Sequence, residues 1–197
     1  MRSALVVDDH EPSRKDLVRV LTANGFEIAG EVTTGAAGLD LISDRAPDVI
    51  VMAVGLPDVD GIRAARKIME ANPRPIVLVT SHHDGATIDR AKRSGVMGYL
   101  IKPLRESELL PTIELAITNF NEFVVLQKEN ESLKKTIEAR KIIEQAKGLL
   151  MKREGLTEAE AFSLIQRRSM DTRKPMVEIA RAIILAQGLS RKGSPEK

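Results

Sequence analysis

The sequence predicts an α/β fold, a parallel sheet with helices on both faces, followed by a helical back end. Three observations carry this. Short apolar runs at Ala4–Val7, Val49–Met52, Ile76–Val79 and Gly98–Ile101 recur through the first hundred residues and read as buried strands. Helical patterns separate them, which is the alternation that βαβ units produce. From about Phe120 the period changes to seven, and the rest of the chain reads as helix.

The elements follow in order. After the first strand, Pro12 to Ala23 carries Leu17, Val18, Val20 and Leu21 on one helical face and stops near Asn24-Gly25. Phe26–Val32 is the second strand and Ala36 to Asp44 the next helix. Gly35-Ala36-Ala37-Gly38 is a loop and helix start, not a phosphate cradle. Five βα units close with a helix over about 107–118. A seam with alternating spacings of three and four follows at Phe123, Leu126, Asn130, Leu133 and Ile137. These are a and d positions of a coiled coil, and Asn130 at an a position fixes register and favours two strands. A homodimer is expected, the competing reading being a single amphipathic helix packed on its own chain.

The helix is expected to run on to Glu154-Gly155. A second begins at Thr157, with Glu160 placed to complete a capping box, and fades after Arg168. Pro175 suits the first turn of a third, with Val177, Ile179, Ala180, Ile183 and Ile184 on its face and Gly188 closing it. The expected domains are 1–119, a coiled-coil linker over 120–140, a three-helix domain over 141–188 and a disordered tail over 189–197.

Composition bounds the function. With 197 residues and 43% apolar content the chain can build two cores, and without cysteine it has neither disulfides nor thiolate metal sites. No apolar stretch approaches the roughly 20 residues of a membrane span, and Met1-Arg2 leads straight into a strand, so a cytoplasmic protein is expected. The net charge of +2 hides an asymmetry. Residues 1–119 carry 14 Lys and Arg against 17 Asp and Glu, and residues 120–197 carry 16 against 11. An acidic front and a basic back suit a regulatory module joined to something that meets a polyanion.

The strand ends carry the chemistry. The four runs end in Asp8-Asp9, Ala53, Thr80 and Lys102-Pro103, and in a parallel sheet these ends line one crevice. Two carboxylates there can hold a hard divalent cation, while Thr80 and Lys102 can donate to phosphoryl oxygens. Over about residues 3–120 this set resembles the receiver domain of two-component response regulators. The resemblance implies a flavodoxin-like doubly wound (βα)5 fold with strand order 2-1-3-4-5, Mg²⁺ at Asp8 and Asp9, and phosphate reading by Thr80, Lys102 and Tyr99. It also puts Ala53 where that family has the aspartate that accepts the phosphoryl group from a sensor histidine kinase. A methyl group is no nucleophile. Mg²⁺ binding is expected to be weakened by the lost carboxylate, and kinase partnership to require a restored acceptor. Ala53 marks either a receiver that has given up phosphorylation or a substitution that blocks it, and the survival of Asp8, Asp9, Thr80 and Lys102 favours a recent or deliberate change. Asp58 and Asp60, past Pro57, are poorly placed to substitute. His82-His83-Asp84 reads as surface loop rather than a metal site.

The stretch Ile143–Met151, then Thr157–Phe162, Ile165–Asp171 and Val177–Ala180, resembles the ANTAR domain of transcription antitermination regulators over about residues 135–188. The resemblance implies recognition of paired RNA hairpins in leader transcripts. Arg140, Lys147, Gly148, Arg167, Arg168, Arg173 and Lys174 are the contact candidates. Gly148 would permit close approach, Lys147 would meet phosphate, and the arginines would meet loop bases. Arg181 and Arg191 read as solvated charges. A DNA-binding response regulator and a dimeric protein-interaction module are the rival readings, and neither these nor the favoured one is an enzyme.

Overall fold

The computed structural model describes residues 1–81 and 84–190. Five parallel strands, β1 (Arg2–Val7), β2 (Phe26–Val32), β3 (Val49–Ala53), β4 (Ile76–Thr80) and β5 (Gly98–Ile101), form one sheet in the order β2-β1-β3-β4-β5. The expected strand order and sheet are therefore present. The order reverses after β1, which opens a crevice at the carboxyl ends of β1 and β3.

Strand alternation divides the core into two layers. Ala4, Val6, Val49, Val51, Val77 and Val79 face α1 (Glu11–Ala23) and the first turns of α5 (Glu106–Glu154), where Leu17, Leu21, Leu109 and Ile113 meet them. Leu5, Val7, Ile50, Met52, Ile76 and Leu78 face the opposite way. There they pack on α2 (Gly35–Arg45), α3 (Gly61–Ala71) and α4 (Gly85–Arg93) through Ile42, Ile62, Ile68 and Ala91. Strands buried on both faces have no polar positions to alternate, so the sequence shows them as continuous apolar runs. Gly61 is obligatory, because a Cβ there would lie 2.0 Å from the Ala53 carbonyl oxygen.

Helix α5 departs from expectation. A helix ending near Thr118 was expected, but one continuous helix runs from Glu106 to Glu154. Residues 118–123 contain neither glycine nor proline, so nothing stops the helix when its apolar face changes use. Its first turns bury Leu109, Ile113, Ala116, Ile117 and Phe120, while farther on Leu126, Leu133 and Ile137 stand exposed. One 18-residue stretch of α5 is long and apolar enough to cross a membrane by length and composition alone, and 28% of it is buried within the protein.

Contacts divide the chain into two compact units, residues 1–125 and residues from 126 onward. In the second, α5 meets α6 (Glu158–Thr172) and α7 (Met176–Ser190) around Ala146, Leu150, Ala161, Ile165 and Ala180. Alanine at three of the five buried positions lets the helix backbones approach closely. Gly155, at φ 68°, ends α5. The capping box forms as expected. The Thr157 hydroxyl accepts from the Glu160 N–H, and the Glu160 carboxylate accepts from the Thr157 N–H at 2.8 Å.

Helix α6 does not fade after Arg168 but continues to Thr172. Its last turn is closed by backbone groups rather than apolar contacts, with Arg173 at φ 54° returning its N–H to the Met170 carbonyl. Helix α7 likewise passes Gly188 and ends at Ser190, so the expected tail begins at least two residues late, and 191–197 lie outside the described residues.

Candidate functional site

The carboxyl ends of β1, β3, β4 and β5 converge as the topology requires. Asp9, Ala53, Thr80 and Lys102 line one cleft of about 670 Å³. Its floor, Leu17, Val20, Val79, Leu104 and Leu109, is apolar, and its mouth carries His10, Ser13, Asp16 and Glu106.

Asp8 is fully buried beside this cleft, and both carboxylate oxygens are occupied. Lys102 Nζ lies 2.6 Å from Oδ2, the Ser13 hydroxyl donates to the same oxygen at 2.9 Å, and the His10 N–H donates to Oδ1 at 3.0 Å. Asp9, next to Asp8, is exposed. Receiver domains generally bind Mg²⁺ in their phosphorylation site, but here the donor set is short. Among the described residues no cluster of three or more metal-ligating side chains forms, Asp8 is engaged by Lys102, and Ala53 contributes only a methyl group.

Thr80 is buried at the end of β4, and its hydroxyl is hydrogen-bonded to that of Tyr99. Burial raises the Tyr99 phenol above its ordinary value, opposed by that hydrogen bond and reinforced by the charge of Asp84. Thr80 and Tyr99 are thus joined to each other.

The nearby acids are committed elsewhere. Asp58 accepts from the N–H groups of Gly35 and Ala36 at 2.9 and 2.8 Å, and these bonds at the start of α2 hold its carboxyl below the usual range. Asp60 caps α3 and pairs with Arg90 at 2.5 Å. Asp84 caps α4 through the Thr87 N–H, while His82 and His83 lie outside the described residues.

In the second unit Arg140, Arg167, Arg168, Arg173 and Lys174 are exposed, and none of them enters an ion pair among the described residues. Arg173 and Lys174 sit on the α6–α7 turn. Gly148 faces open space, since a Cβ built on it would meet nothing within 4 Å.

Lys147 corrects the sequence reading. Its side chain is 8% exposed and its ammonium is held by Glu158 at 2.6 Å and Glu144 at 2.9 Å, so it ties α5 to the start of α6 instead of meeting phosphate. The three-residue spacing to Glu144 is visible in the sequence, but the Glu158 contact depends on how the helices pack. Those hydrogen bonds, from Glu158 first and Glu144 second, raise the lysine above its ordinary value, and Lys147 lowers Glu158.

The sign follows for each partner. The raised lysine stabilises the fold fully below its unfolded value and loses that contribution as pH rises through the folded one. The lowered glutamate contributes above its unfolded value and loses it as pH falls through the folded one. The contact is therefore complete from about pH 5 to about pH 10. Lys147→Ala should lower the melting temperature of the second unit by several degrees at pH 7, with the difference from wild type shrinking at about pH 3. Lys147→Met, which keeps the buried stem, should retain RNA affinity and its salt dependence. A loss of about one unit of salt slope in Lys147→Met would return the residue to the RNA surface.

Comparison with known proteins agrees with both halves. The response regulator receiver domain model matches residues 4–114 and the ANTAR domain model residues 131–184. The transcriptional regulatory protein PdtaR of Mycobacterium tuberculosis is 38% identical over 187 residues, covering 95% of this chain and 91% of PdtaR. Among solved structures, the receiver domain of a modulated diguanylate cyclase from Desulfovibrio desulfuricans is 29% identical with a TM-score of 0.58, covering 61% of this chain and 97% of that one. The receiver domain of the response regulator NarL from Mycobacterium tuberculosis is 28% identical with a TM-score of 0.57, covering 59% and 96%. ANTAR domains bind RNA, receiver domains interact with kinases, and proteins of this organisation are generally not enzymes. The chain belongs to the response regulators that join an N-terminal receiver domain to a C-terminal ANTAR domain.

Proposed function

We propose that this protein is a cytoplasmic, RNA-binding transcription antiterminator whose receiver has lost its phosphoacceptor, with Ala53 in the acceptor position. It acts as a homodimer through the seam over 120–140, which links a receiver ending near residue 119 to an ANTAR domain over 141–188. Its ligand is a pair of RNA hairpins in a leader transcript. The observation that carries the reading is the set of exposed cations without ion-pair partners, Arg140, Arg167, Arg168, Arg173 and Lys174, on a helical domain of the ANTAR family. Cations left free of internal carboxylates are available to phosphates and unstacked bases.

Gly148 supports the same reading. Glycine inside a helix costs about 1 kcal/mol relative to alanine, and no packing within the chain requires it. Close approach of an external partner does. Mg²⁺ binds weakly, through Asp9 and whatever part of Asp8 Lys102 releases, and the kinase has no acceptor to serve.

The test is binding of the full-length protein to a two-hairpin RNA and to duplex DNA of equal length. Arg168→Ala should weaken RNA binding by roughly five- to tenfold and shallow its salt slope by up to about one unit, with the melting temperature unchanged. Gly148→Ala should raise the melting temperature yet weaken RNA binding. Equal competition by duplex DNA would transfer the protein to the DNA-binding reading.

A further inference from the structure

The second unit carries a second cationic feature, separate from the α6–α7 turn. Lys134 and Lys135 on α5 and Arg181 on α7 line one groove of about 500 Å³, with Glu138, Ala139 and Val177 completing its walls. The three cations are exposed, and among the described residues none of them pairs with a carboxylate, Glu138 included. The groove therefore holds three positive charges against one negative. Lys134 and Arg181 lie 47 positions apart in the chain, so only the packing of α7 on α5 brings them together.

The groove's composition selects its occupant. Ala139 and Val177 give the groove an apolar wall along which the lysine and arginine stems can lie while their charged heads reach solvent. Two flexible lysines and an arginine suit contacts with phosphate oxygens along a backbone, contacts that position without reading sequence. The heptad pattern places Lys134 one residue past the seam residue Leu133 and puts Lys135, Glu138 and Ala139 off the seam. A coiled-coil partner would flank Lys134, at an e position beside the seam, and leave Lys135, at f, facing away from it.

We infer that this groove binds the phosphodiester backbone of an RNA hairpin stem, supplementing the turn-borne arginines. The inference rests on the RNA-binding reading above. It assigns Arg181 a role that its sequence context alone does not suggest.

The test uses the full-length protein and a labelled RNA of two stem-loops joined by a short single strand, titrated from about 50 to 300 mM salt. The triple variant Lys134→Gln, Lys135→Gln, Arg181→Gln should bind roughly tenfold or more weakly, with a salt slope shallower by about two units, since each lost contact removes about 0.7 to 0.9. Glu138→Gln removes the one carboxylate that lines the groove among the described residues and should bind about two- to threefold more tightly. Circular dichroism should show both variants melting with wild type.

The outcomes separate cleanly. A wild-type chain that binds neither RNA nor its single hairpins rejects the antitermination reading and the groove with it. A wild-type chain that binds RNA while the triple variant keeps its slope rejects the groove alone. Unchanged RNA binding with lost self-association in sedimentation would make the groove a protein contact and overturn the proposal.

Discussion

Ala53→Asp should give a receiver that takes up a single phosphoryl group. With acetyl phosphate and Mg²⁺, the unmodified chain should keep its intact mass while the variant gains one phosphoryl unit. An introduced carboxylate oxygen attacks phosphorus as acetate departs, so one acyl phosphate bond forms as another breaks. The surroundings are ready for it. Ala53 lies at the end of β3 in the wall of the cleft with Asp9, Thr80 and Lys102, and the open volume there leaves room for the larger side chain. The added carboxylate also supplies the missing oxygen ligand, so Mg²⁺ affinity should rise by about tenfold or more, because ligand charge dominates binding of a hard cation. Phosphate appearing on any carboxylate of the unmodified chain would overturn the assignment of position 53.

The same substitution tests the switch. Lys102 is held by Asp8 and Thr80 is bonded to Tyr99, so both side chains already have a partner inside the protein. A phosphoryl group would compete for the lysine and the threonine hydroxyl and so contact one arrangement better than the other. Only such a difference can shift a population. Phosphorylated Ala53→Asp should therefore show more dimer or tighter RNA binding than its unphosphorylated form. If neither changes, phosphate is not what the receiver passes to the ANTAR domain.

The sheet was legible because strands buried on both faces leave unbroken apolar runs, and the strand-end residues were legible because a parallel sheet must bring them together. Thr157 and Glu160 gave away the start of α6 for a similar reason, since a capping box is local chemistry. What was misread depended on contacts between distant segments. Lys147 looked like a surface cation until packing set it against Glu158. The helix end expected near Thr118 was misplaced for the opposite reason. A change in hydrophobic period marks a change of partner, and a helix with no breaker can change partner without ending.

Leu133→Asp should convert the protein to a monomer and remove its preference for paired hairpins. Phe123, Leu126, Leu133 and Ile137 are 37%, 64%, 63% and 55% exposed on α5, and Asn130 lies in the same row. Leu133 belongs to no buried cluster among the described residues, so a charge there opens no core, and the melting temperature of each unit measured below the dimer's dissociation constant should hold. In a two-stranded coil the same residue is a d knob, and a carboxylate there would lose its hydration facing its own symmetry mate. Sedimentation should report monomer. Linking two weak sites makes the second binding event intramolecular, so affinity for a two-hairpin RNA should fall by roughly a hundredfold or more, while affinity for one hairpin stays within about twofold. The contrast between the two RNAs is what makes the test decisive, since a misfolded variant would lose both. Dimer in Leu133→Asp, or undiminished binding of the paired RNA by its monomer, would remove the seam from the mechanism and leave each ANTAR domain to read its hairpin alone.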